Sequence, residues 1–149
     1  MGTRAAAPFP VTLVGVGNMG GGMAQRLGQL GWAPAVHDID PAKVQALVPF
    51  GAVAPADIAR AAAESIATII CVVDAAQTRE VLFGPGGIAP RLPAGHVVLL
   101  CPTIAPQDVE SIAAELAVRG IHTVDAPMSG GPARARDGSM SLMVAGEDA

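Results

Sequence analysis

The stretch VTLVGVGNMGGGMAQRL, Val11 to Leu27, sets an apolar, β-branched run against three glycines spaced Gly15-x-Gly17-x-x-Gly20 and then a pattern of helical period. A strand that turns sharply into a helix is the context in which this spacing acquires a physical meaning. The first glycine lets the chain turn, the second leaves room for a pyrophosphate against the backbone, and the third lets helix and strand approach each other. Free N–H groups at the start of the helix, with the positive end of its dipole, then face the phosphates. The stretch therefore predicts a dinucleotide socket. Gly21 and Gly22 carry the glycine run into the first helical turn, where each costs about 1 kcal/mol relative to alanine; close packing is the reading that would account for them.

A second element sharpens this expectation. Asp38 closes the next apolar run, Pro34–His37, 18 residues after Gly20. A carboxylate there accepts the ribose hydroxyls of an adenosine and repels a 2′-phosphate, which favours NAD over NADP. The competing reading makes Asp38 a turn or capping residue, but Asp40, followed by Pro41, suits the cap better. Lys43 is expected on the solvent face of the helix that Asp40 starts, and His37 on the surface.

Working outward, short β-branched runs alternate with alanine-rich stretches of helical period, the pattern of βαβ units and a parallel sheet. The expected strands are Val11–Val16, Pro34–His37, Ala67–Val73, His96–Cys101, His122–Ala126 and Met140–Ala145, with a weak one near Ala52–Val53. Met19, Met23, Leu27 and Leu30 form one helical stripe that stops at Gly31, and Pro106, Val109, Ile112 and Leu116 mark another that closes at Gly120. Phe83–Gly87 reads as a loop. The fold class is α/β, a doubly wound parallel sheet over residues 11–149, preceded by a flexible arm over residues 1–10. The final SLMVAGEDA reads as a strand and the opening of a helix, which suggests a piece of a longer protein.

Composition narrows the function. The 149 residues carry a net charge of −4, a pI near 5.2 and only 3% aromatic residues, so neither a basic stripe nor stacking platforms exist and nucleic acid is not an expected partner. No apolar run approaches the ~18 residues of a membrane span, and residues 1–10 do not read as a signal peptide. Residue six is alanine where an acylation signal needs Ser or Thr. Cys71 and Cys101, each in an apolar run and far from any metal-ligand spacing, read as buried reduced thiols of a cytoplasmic protein.

The other informative stretch is VDAPMSGGPARARDGSMSLMVAG. A strand ends at Asp125-Ala126-Pro127, and Ser129-Gly130-Gly131 turns into a short helix, so that a hydroxyl and bare N–H groups can hold a carboxylate without a cation. Taken alone it could equally be a turn punctuated by Pro and Gly. The two motifs together, about 110 residues apart, resemble the β-hydroxyacid dehydrogenase family. Val72–Gly84 and Cys101–Asp108 look most like its L-threonate dehydrogenase branch. The resemblance implies a Rossmann-like domain in which Gly15, Gly17, Asn18, Met19 and Gly20 hold the pyrophosphate and Asp38 the ribose. It implies further that Val73 and Asp74 line the adenosine side, that Thr103 sits beside the nicotinamide ribose, and that Ser129, Gly130 and Gly131 bind a small hydroxy-carboxylate substrate. Pro102, before Thr103, removes one N–H donor from that region. The full-length protein is expected to be a homo-oligomer.

Oxidation of a hydroxy acid by NAD releases a hydride from carbon and a proton from oxygen. In the resembling family a lysine on an all-helical C-terminal domain takes the proton, and that domain is absent from these residues. Lys43, the single lysine, belongs to the adenosine end. His96 and His122 open their strands on the edge away from the ligands, His37 lies near the adenosine, and Asp125 reads as a turn anchor. These residues are thus expected to bind NAD and to turn nothing over, the catalytic lysine lying beyond Ala149. Three other readings stay open: an NADP-linked semialdehyde or imine reductase domain, a non-catalytic dinucleotide-binding module, and a structural relic.

Overall fold

The computed structural model describes residues 8–147. Five parallel strands, β1 (Val11–Val14), β2 (Ala35–His37), β3 (Ala67–Ile70), β4 (Val97–Leu100) and β5 (His122–Asp125), form the body of the sheet. Their order is β2-β1-β3-β4-β5, so the chain reverses its direction of travel between β1 and β3. Such a reversal opens a crevice at the carboxyl ends of the strands. Beyond β2, the expected weak strand at Ala52–Val53 is a single parallel bridge between Ala35 and Val53.

Both faces of the sheet are covered, which is why its strands read as continuous apolar runs. Neighbouring residues of one strand serve opposite faces: Leu13 and Ile69 join one cluster with Val36 and Leu47, whereas Val14 and Ile70 join the other with Leu82, Ile112 and Leu116. The helices are α1 (Asn18–Gln29), α2 (Pro41–Gln45), α3 (Ile58–Ala63), α4 (Ala75–Phe83), α5 (Pro106–Ala117) and α6 (Gly131–Asp137). Asp40 caps α2 by accepting from the Ala42 N–H at 3.0 Å, with Pro41 at its first position, as the sequence predicts. Gly31 and Gly120 follow α1 and α5 with positive φ.

Two expectations change. The stripe Met19, Met23, Leu27 and Leu30 is not the deepest face of α1; Gly20, Gly22 and Ala24 are. Small residues win that face because α1 crosses other backbone too closely for a larger side chain. Second, Met140–Ala145 is not one parallel strand. Ser141–Leu142 (β7) pairs antiparallel with Met128–Ser129 (β6), and Ala145–Gly146 (β8) pairs antiparallel with β5, leaving the sheet with one antiparallel edge. After α6 the chain folds straight back over a short connection, and a parallel return would need a crossover of a dozen residues or more.

The helix opening expected after Gly146 falls on residues outside those described, and so does most of the expected N-terminal arm. Within residues 8–10, Phe9 meets the edge of Trp32 at 6.5 Å and the Pro10 carbonyl accepts from Ile66. Among the described residues, no helix is long and apolar enough to cross a membrane, and no cluster of His, Cys, Asp or Glu could hold a metal ion.

Candidate functional site

The glycine turn sits at the carboxyl end of β1, and each glycine has a distinct reason to be there. Gly15 has φ +90°, its N–H bonds to the His37 carbonyl at 2.9 Å, and a Cβ on it would lie 2.7 Å from the Cys71 backbone. A Cβ on Gly20 would collide with the Gly15 carbonyl oxygen and lie 2.9 Å from Cys71 Cβ. Gly17, by contrast, caps α1 and would meet nothing within 4 Å. Two glycines therefore close the turn against the protein and one leaves it open, the arrangement that admits a phosphate to the helix start.

The structure also accounts for the two extra glycines. A Cβ at Gly21 would lie 2.9 Å from the Val16 carbonyl oxygen, and one at Gly22 would lie 2.9 Å from Ala135 Cβ on α6. Their low helix propensity is offset by the close seating of α1 on the turn and on α6, the helix that follows the second motif.

Beside this turn lie two cavities. The first, about 420 Å³, is lined by Met19, Val72, Val73, Cys101, Pro102, Thr103, Met128 and Gly131. Four expected site residues, Met19, Val73, Thr103 and Gly131, meet there from four separate segments of the chain. The wall carries no charged side chain, and its volume is that of a small-ligand cleft. The second, about 330 Å³, is lined by Val16, Gly17, Asn18, Lys43, Ala46 and Leu47. Lys43 is exposed, as expected, yet it also borders this cavity, which Gly17 and Asn18 line as well.

Asp38 and Asp74 differ from expectation in what occupies their carboxylates. Asp38 stands at the end of β2, but one oxygen accepts from the Val16 N–H at 2.9 Å and the other from the Asp40 N–H at 2.9 Å. It clamps the glycine turn to the β2 loop, and one further lone pair on each oxygen is left for a ribose hydroxyl. The turn reading of Asp38 and the ribose reading are thus compatible. Asp74 lies outside the walls of both cavities: it caps α4, its side chain accepting from the Gln77 N–H at 2.8 Å.

In the second motif, Gly131 reaches the cleft, whereas Ser129 and Gly130 are exposed at its rim. Gly130, at the N-cap of α6, has φ +123°, in the region that favours glycine. The histidines lie where strand order predicts. His96 is buried, its Nε2 shares a hydrogen bond with Thr68 Oγ1 at 2.9 Å, and burial lowers its pKa below the ordinary value. Sequence reasoning missed Val72, Cys101 and Met128 as cleft wall; the signal available was that Val72 and Met128 adjoin expected site residues and Cys101 lies two before Thr103.

Comparison with known proteins agrees with this geometry. Residues 10–149 match the family described as the NAD binding domain of 6-phosphogluconate dehydrogenase. L-threonate dehydrogenase of Escherichia coli O6:H1 is 36% identical over 146 residues, which cover 97% of this chain and 48% of that protein. A crystal structure described as 3-hydroxyisobutyrate dehydrogenase from Salmonella typhimurium superposes with a TM-score of 0.84 at 36% identity, over 91% of this chain and 47% of that one. Psf3 in complex with NADP+ and 2-OPP superposes with a TM-score of 0.86 at 28% identity, over 92% and 49%. The chain spans about half the length of the curated relatives it matches. Its two motifs, its strand order and these matches agree: the chain belongs to the NAD-binding domain family of the β-hydroxyacid dehydrogenases.

Proposed function

We propose that this chain is the cofactor-binding part of an oxidoreductase that moves a hydride between a small 3-hydroxy acid and NAD. One observation carries the reading: residues of the glycine turn and of the second motif, about 110 positions apart, line the same uncharged cleft. The open space at Gly17 fits a pyrophosphate, and the cleft beyond it has room for a nicotinamide ring. Gly17, Asn18 and Met19 would hold the pyrophosphate, Asp38 the adenosine ribose and Thr103 the second ribose. Bound NAD supplies the hydride acceptor. Ser129, Gly130 and Gly131 would orient the substrate carboxylate, and L-threonate or 3-hydroxyisobutyrate is the substrate class that the relatives' names suggest. The proton of the hydroxyl is taken by a lysine outside these residues, since Lys43 borders the cavity at the far side of the turn. Oligomerisation of the whole enzyme belongs to the same reading.

A second reading, NADP in place of NAD, is favoured by Lys43 beside the glycine turn. Calorimetric titration with each dinucleotide separates the two. Binding of NAD without measurable NADP binding supports Asp38 as the selector, and preferential binding of NADP assigns that role to Lys43. Binding of neither would overturn both. In every case the 149-residue chain is expected to reduce no NAD on addition of L-threonate, and measurable reduction would show that the proton acceptor lies within it.

A further inference from the structure

The cleft wall contains a feature that hydride transfer does not use. Ile70 of β3 and Leu100 of β4 are register partners, and the ladder continues one residue further through Cys101 N–H to Ile70 carbonyl at 3.0 Å. Cys71 and Cys101 are therefore the next facing pair, on the same side of the sheet. Adjacent strands lie about 4.8 Å apart, within the roughly 4.4–6.8 Å Cα separation that a disulfide bridges. Both thiols are free, and Cys71 Sγ lies 4.0 Å from Met23 Sδ. Cys101 belongs to the wall of the cleft, where it is 2% exposed, and Cys71 beside it is half-buried.

We infer that Cys71 and Cys101 form a reversible modification site: peroxide converts the facing thiols into an intrachain disulfide that weakens dinucleotide binding. The Cys101 thiolate attacks one oxygen of hydrogen peroxide, giving a sulfenic acid and hydroxide. The Cys71 thiol then displaces the sulfenic oxygen, forming the S–S bond and releasing water. In sum, two thiols are oxidised and one peroxide is reduced to two waters; a thiol reductant reverses the change. The division of roles follows the neighbours. Hydrogen bonding from Cys71 holds the Cys101 thiol below its ordinary pKa, against burial and the Asp125 charge. The hydrogen bond with Cys101, burial and the charge on Cys101 hold Cys71 in its thiol form.

The coupling to the nucleotide is geometric and rests on the function proposed above. The Cys71 backbone lies 2.7 Å from the place of a Cβ on Gly15, and Cys71 Cβ lies 2.9 Å from the place of a Cβ on Gly20. A bridge that pulls Cys71 toward Cys101 moves the surface on which the glycine turn is seated, and it reshapes the cleft wall at Cys101.

The test treats the purified 149-residue chain with hydrogen peroxide and reads free thiols, intact mass and NAD affinity, before and after dithiothreitol. The expected result is loss of both thiols, a mass lower by two hydrogens, a monomer on a non-reducing gel, and NAD affinity weakened about tenfold and restored by reductant. By linkage, saturating NAD should slow loss of the thiols. Cys71→Ser and Cys101→Ser should show no reductant-reversible change in affinity, and Cys71→Ala replaces the first variant if it fails to fold. Persistence of both thiols, or oxidation of Cys101 to sulfinic acid with Cys71 still free, overturns the site. A disulfide that leaves NAD affinity unchanged overturns its regulatory role. A reduced chain that binds neither dinucleotide while the disulfide still forms overturns the coupling and the proposed function, and leaves the disulfide site standing.

Discussion

The glycine turn and the second motif are both glycine-punctuated loops at the carboxyl edge of one sheet, but they are built to different standards. Around Gly15 and Gly20 the close approaches are to backbone apart from Cys71 Cβ, and Asp38 ties the turn to the β2 loop through two hydrogen bonds. Around Ser129–Gly131 the support is a pair of two-residue strands. The segment that follows leaves Met143 and Val144 60% and 65% exposed, which places them on the surface of this chain. The lesson is a division of labour. In the function proposed above, the nucleotide side is the tightly built one and the substrate side the more open.

Matched substitutions would break this comparison if it is wrong. The largest effect is expected from Gly20→Ala, whose methyl meets the Gly15 carbonyl oxygen and should cost about 3 kcal/mol or more in urea unfolding. Gly131→Ala meets nothing within 4 Å and strains only its positive φ, so it should cost about 1 kcal/mol. Equal losses at the two sites would mean that the turns are equally tight.

Gly17→Ala comes next, and it sharpens the contrast by separating binding from folding. Its methyl also meets no protein atom within 4 Å, so stability should hold, while NAD affinity in calorimetry should fall by about tenfold or more as the methyl enters the phosphate space. Unchanged affinity would place the pyrophosphate elsewhere.

The smallest effect concerns His96, on the edge away from both loops. Burial lowers its folded pKa below the ordinary 6.5, so below that value the unfolded chain binds a proton that the folded chain refuses. Stability should therefore fall as pH drops from 6.5 toward the folded value, with a slope no steeper than one proton, and level off below it. His96→Gln should flatten that limb of the urea midpoint plotted against pH. A steeper limb in the variant would contradict the sign.

Much of this architecture was legible in advance for a local reason. A strand buried on both faces must be apolar at every position, as Val11–Val14 and Ala67–Ile70 nearly are, and a helix must be capped by residues such as Asp40 and Pro41. Less legible was anything that depends on which partner a group finds. Asp74 caps α4, which begins at the next position, a role the sequence reading did not single out. Met140–Ala145 looks like a strand, and becomes two only because β6 and β5 each claim a part of that segment.

By itself, the sequence determined the dinucleotide-binding fold, through three glycines spaced at a strand-to-helix turn. Tertiary structure alone decided the role of Gly22, which makes room for α6, and the position of Lys43 at a cavity wall. It alone also made Cys71 and Cys101 neighbours. No spacing rule links residues 71 and 101; the register of β3 on β4 does, because partners in a parallel ladder share a face whatever the length of chain between them.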